Sequence, residues 1–165
     1  MRWILDKADF ETVRLRARTG KYIDSGRKAT SLQRWIFDDA YSCTHEGANL
    51  VQQLMALSGD PNAAYVVLDP DPIQYFHRHF KKYPALEIAN GDTADDYIHA
   101  LNEDPGGSPA DAVGTNCWEW VIVPPSIKWF IHALRDSDDG GGHLWMPRDW
   151  AEQIVGGPVT LRSVL

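Results

Sequence analysis

From Cys117 to Val123 the side chains alternate, with Trp118, Trp120 and Ile122 on one side and Cys117, Glu119, Val121 and Val123 on the other. That is the period of a β-strand, and both of its sides are mostly apolar. A strand with two apolar sides has to be covered on both, so Trp118 to Val123 is predicted to run through the interior of a sheet. Pro124-Pro125 ends it, because proline cannot continue a ladder. Glu119 is out of place there: an ionised carboxylate on such a strand needs a cation, hydrogen-bond donors or water.

The rest of the chain supplies the cover. Trp3-Ile4-Leu5 reads as a short strand, followed by a helix capped by Asp6 or Asp9, with Phe10, Val13 and Ala17 as its apolar stripe, running to about Arg18 and stopped by Gly20. Thr30 or Ser31 reads as the cap of a second helix bearing Leu32, Trp35, Ile36 and Ala40 on one side. Thr44 caps a third, in which Leu50, Val51, Leu54, Met55 and Leu57 recur at helical spacing before Gly59. Ala64 to Leu68 and Ala85 to Ile88 read as strands, and between them Asp71 and Pro72 start a helix with Ile73, Phe76, His77 and Phe80 inward. Asn90-Gly91 is a turn, after which Asp92 or Thr93 caps a short helix with Tyr97, Ile98 and Leu101 inward.

Residues 102–116, rich in Pro, Gly, Ser and Asp, read as a long loop, either a mobile surface segment or a lid. Over residues 126–135 two periods compete. A helix would align Ile127, Phe130, Ile131 and Leu134; a strand from Trp129 to Leu134 would pair with His143 to Met146 across a Gly-rich loop, and the aromatic and β-branched content favours the strand. Pro147 then opens a last helix with Trp150 and Ile154 stacked, Gly156-Gly157 stops it, and Val159 to Leu165 closes as a strand. The expectation is a single compact α+β domain, with a central mixed or antiparallel sheet and several short flanking helices.

At 165 residues the chain can build a core without disulfides or a structural metal. Its hydrophobic content of 44% and charged content of 24% suit a soluble globular protein, and the opening Met1 to Leu5 is too short for a signal peptide or a spanning helix. A cytoplasmic protein with two reduced thiols, Cys43 and Cys117, is therefore expected. The net charge of −7 is unevenly spread: residues 1–35 carry nine Lys or Arg against four Asp or Glu, and residues 36–165 carry seven against nineteen. A basic N-terminal helical part, 1–35, is thus expected to pack on an acidic body, 36–165. That body carries −12; it repels phosphate backbones and attracts basic proteins. Nucleic-acid binding is disfavoured except through Arg14, Arg16, Arg18 and Lys21.

Four patterns carry chemistry. Gly140-Gly141-Gly142 lacks the lysine and hydroxyl of a phosphate loop and follows the repelling Asp136, Asp138 and Asp139, so it reads as a hairpin tip. Cys43, His45, His77 and His79 are zinc-type ligands, but helical residues two apart diverge by about 200°, so no metal and no cofactor are expected. Cys117, Glu119, His132 and His143 would converge if 129–134 and 143–146 are strands, and Cys-His or Glu-His pairs do acid–base or nucleophilic work. Finally, seven tryptophans beside an acidic body suggest protein binding, with Asp136, Asp138, Asp139, Trp145 and Trp150 as partner-binding residues and the last two partly exposed.

The functional expectation is a small acidic protein-binding module, an inhibitor or immunity-type protein for a basic nucleic-acid-acting partner, rather than an enzyme. One alternative is a small hydrolase or transferase using the Cys117, Glu119, His132 and His143 cluster. Another is nucleic-acid binding through the basic N-terminal segment.

Overall fold

A computed structural model describes residues 1–69, 73–106, 112–135, 141–154 and 162–163. In chain order the elements are β1 (Arg2–Trp3), α1 (Lys7–Asp24), β2 (Gln33–Asp38), α2 (His45–Ser58), β3 (Asn62–Asp69), α3 (Ile73–Phe80) and β4 (Ala85–Ala89). They continue with α4 (Ala94–Asn102), α5 (Val113–Asn116), β5 (Glu119–Val123), β6 (Phe130–Leu134), β7 (Gly141–Met146) and β8 (Arg162–Ser163). The strands join into one sheet in the order β1-β4-β3-β5-β6-β7-β2-β8. Every pairing is antiparallel, so the fold is α+β around an antiparallel sheet. No helix among the described residues is long and apolar enough to cross a membrane.

Alternation along the middle strands sorts their side chains into two cores. Tyr65, Val67, Trp120, Ile122, Ile131 and Leu144 pack with Leu50, Leu54 and Met55 of α2 and Tyr97 and Leu101 of α4. On the other side Ala64, Val66, Val121, Val123 and Phe130 pack with Phe10, Ala17 and Ile23 of α1. Local sequence sets the helix ends as predicted for α2 and α4. Thr44 Oγ1 accepts from Gly47 N at 3.1 Å, Gly59 ends α2 at φ 73°, and Thr93 with Asp96 forms a reciprocal cap on α4.

Five expectations are corrected. α1 is capped by Asp6 but does not stop at Gly20; it runs on to Asp24. A Cβ at Gly20 would sit 3.0 Å from Phe130 Cδ2, so this glycine is where the helix lies closest to β6 rather than where it ends. The segment after Thr30 is a strand, not a helix: positions 32, 35, 36 and 40 fit a helical stripe, yet Gln33–Asp38 pairs along its whole length with β7. Pairing overrides the local pattern there.

Trp118 is not interior. The register between β3 and β5 shifts between Val67 and Asp69, Trp118 N donates to Asp69 O at 3.1 Å, and its side chain is 51% exposed while Trp120 is 1% exposed. Cys117 lies before β5, at the C-terminal cap of α5, and is buried in the core beneath α2 and α4 rather than on the Glu119 side. After Pro147 a single 3-10 turn, Arg148–Trp150, replaces the expected helix. The 126–135 ambiguity resolves as the strand, hairpinned to β7 with Ile131 opposite Leu144. Residues 107–111 of the long loop, the Asp71 and Pro72 helix start, and Gly156-Gly157 lie outside the described residues.

Candidate functional site

By running past Gly20, α1 carries Lys21 and Asp24 over β5, β6 and β7, where His132 and His143 stand directly opposite each other in the ladder. Asp24 Oδ2 lies 2.6 Å from His132 Nδ1 and 2.8 Å from His143 Nδ1. Its other oxygen accepts from Trp145 Nε1 at 2.7 Å and lies 2.9 Å from His143 Nδ1. His132 continues the chain: its Nε2 is 2.9 Å from Glu119 Oε1, and Lys21 Nζ is 2.7 Å from both Glu119 oxygens. The misplaced carboxylate of β5 thus has the cation and donors that its position demands.

The charges are arranged to hold one another. Burial opposes ionisation of Asp24, but the hydrogen bonds from His132, His143 and Trp145 outweigh it and keep its carboxyl well below the usual range. Glu119 is lowered in the same way, burial again losing to His132 and Lys21. For His132 burial favours the neutral ring, yet hydrogen bonds and attraction from Asp24 and Glu119 raise its pKa. His132 is accordingly clamped between two carboxylates, with 11% of its side chain exposed. A cleft of about 480 Å³ reaches Asp24 and Trp145, walled by Leu32, Gln33, Arg34 and Arg148.

Three of the four residues named from sequence for chemistry, Glu119, His132 and His143, are therefore brought together. Cys117 is not among them; it is buried on the opposite side of the sheet, where desolvation pushes its thiol up to about 12. Asp24 is the residue that sequence reasoning missed. The signal was present, because the Phe10, Val13, Ala17 stripe continues at the same spacing through Gly20 to Asp24.

The zinc-type ligands do not gather. His45 pairs with Asp95 at 2.9 Å, His77 stacks on Tyr83, and His79 is exposed. Among the described residues, Asp24, His132 and His143 form the one group of three whose ligand atoms could hold a metal ion.

Of the residues named for partner binding, Asp136, Asp138 and Asp139 lie outside the described residues. Trp145 and Trp150 are partly exposed, but Trp145 is tied to Asp24 and Trp150 packs on the core. The basic residues of α1 do not act as one edge: Lys21 is turned to Glu119, Arg14 lies 3.9 Å from Glu11, and Arg16 lines a separate cavity beside β1. Comparison with protein-family models, with curated proteins and with solved structures gives no match.

Proposed function

We propose that the protein is a binding module for a basic protein partner, in the manner of an inhibitor that covers a basic, nucleic-acid-acting surface. The observation that carries this reading is Trp118, an indole left 51% exposed at the start of β5, with Leu134 at the end of β6 45% exposed. Their main chains are joined, Arg135 N donating to Trp118 O at 2.9 Å, and Asp136, Asp138 and Asp139 follow at once in sequence. An exposed indole, with three aspartates a short way along the chain from its strand neighbour, suits a partner that offers an apolar pocket and cations. The excess of nineteen acidic over seven basic residues in 36–165 supports attraction at long range.

The test is kinetic, on a partner captured from the host and then purified. Association is expected to slow steeply with salt and with the triple change of Asp136, Asp138 and Asp139 to Asn, while Trp118→Ala speeds dissociation. A partner whose rates ignore salt and all of these changes would overturn the reading, as would the absence of any saturable partner.

A second reading is favoured by the convergence of Glu119, His132, His143 and Asp24 beside a cleft. In it the protein is a small hydrolase or transferase, with this cluster supplying acid–base chemistry. Glu119→Gln and His143→Ala would then abolish turnover while the fold is retained. Turnover that survives both would end that reading.

A further inference from the structure

We propose that Asp24, His132 and His143 form a site for a divalent first-row transition-metal ion such as zinc, bound through Asp24 Oδ2 and the two Nδ1 atoms. This rests on neither reading above. The three ligand atoms lie within 4.8 Å of one another and come from the end of α1, from β6 and from β7. Two imidazoles and a carboxylate are a set that zinc, cobalt, nickel and iron accept. Around a tetrahedral zinc with bonds of about 2.0–2.1 Å such atoms stand roughly 3.3 Å apart. The present separations from Asp24 Oδ2, 2.6 and 2.8 Å, need to open by about half an ångström, and the ligand atoms of the two rings, which lie within 4.8 Å of each other, have to settle at the same spacing.

The surroundings match what a ligand set requires. A metal-bound histidine is oriented by a carboxylate on its second nitrogen, and His132 Nε2 meets Glu119 at 2.9 Å. Lys21 holds Glu119 from behind, and Trp145 Nε1 engages Asp24 Oδ1, which leaves Oδ2 to face the rings. As a purely structural net, half-buried charges add little over apolar side chains of similar volume. As a ligand set each member has a task.

Uptake of the ion needs both Nδ1 atoms free of protons: His132 gives its Nδ1 proton to solvent and keeps its Nε2 proton on Glu119, and His143 binds as the neutral ring with its proton on Nε2. Three protein ligands leave a further position for water or a ligand. The cleft that reaches Asp24 carries Arg34 and Arg148 on its walls, which favour an anion close to the site.

The experiment titrates the chelator-treated full chain with Co²⁺ near neutral pH, then displaces it with Zn²⁺. One saturable equivalent with visible ligand-field bands is expected. Imidazole NMR signals of His132 and His143 should shift, while those of His45, His77, His79 and His99 stay. Glu119→Gln should weaken affinity by about ten- to a hundredfold. His143→Ala should weaken it more, and His45→Ala not at all. Uptake that does not saturate at millimolar metal overturns the proposal, as do shifts confined to other histidines or affinity unchanged by His143→Ala. Should a variant fail to fold, the NMR titration of the unaltered protein decides.

Discussion

The two faces of the sheet solve burial in opposite ways. Beneath α2 and α4 the packed side chains are mainly apolar, and Trp120 Nε1 has no hydrogen-bond partner among the described residues. Beneath α1 an apolar patch around Phe10, Val121 and Phe130 gives way to Lys21, Glu119, His132, Asp24 and His143, which are linked to one another and to the Trp145 indole. The first face tolerates the unpaired Trp120 indole because stacking on Tyr65, at 6.0 Å between ring centroids, and complete burial compensate. The second tolerates charge because each group answers another. Shape maintains one side and satisfied polarity the other, so the two should fail differently.

The largest effect is expected from Trp120→Ala, which opens a cavity in the apolar face and should cost about 3–5 kcal/mol by urea unfolding. Asp24→Ala should follow at roughly 3 kcal/mol, since it leaves His132, His143 and Trp145 without their shared acceptor. If Asp24→Ala proves neutral, the contrast between the faces is wrong. Gly20→Ala comes next. Crowding against Phe130 is partly offset by the better helix propensity of alanine, for a net loss of about 1 kcal/mol, and the bands of any bound Co²⁺ should change as the end of α1 is pushed outward.

The smallest effect is on the pH profile of stability, measured with chelator present. Raised His132 stabilises the fold below its ordinary value of 6.5, and that contribution disappears as pH climbs through its folded-state value. Lowered Asp24 and Glu119 contribute above their ordinary 3.8 and 4.5 and are lost on acidification. Stability from the cluster is therefore greatest between about 4.5 and 6.5, and Asp24→Ala should flatten both limbs whereas Trp120→Ala should lower the whole curve without reshaping it.

What could be read from sequence follows the same division. The apolar face was legible because periodicity and caps agree there: Thr44 and Gly59 bound α2, Thr93 bounds α4, and Ala64 to Leu68 and Trp120 to Val123 alternate cleanly. The polar face was half legible. Glu119, His132 and His143 stood out as ionisable residues on predicted strands, but Asp24 lay beyond a glycine that reads locally as a stop and is in fact a packing contact. Alternation misplaces Cys117 and Trp118 because β5 begins only at Glu119, and the two residues before it belong to the end of α5 and its link to the strand. The strand at Gln33–Asp38 was obscured because its apolar residues satisfy both periods, and only pairing with β7 decides between them.

The direct opposition of His132 and His143 also bears on the order in which the molecule assembles. The two rings are joined by a single hairpin, so closing the short loop between β6 and β7 suffices to bring them face to face. Asp24 is 108 residues from His132 along the chain, so its place in the cluster depends on α1 packing across the sheet, a contact of much longer range. A short-range hairpin thus sets the two imidazoles, while the carboxylate between them depends on the most distant contact of the cluster.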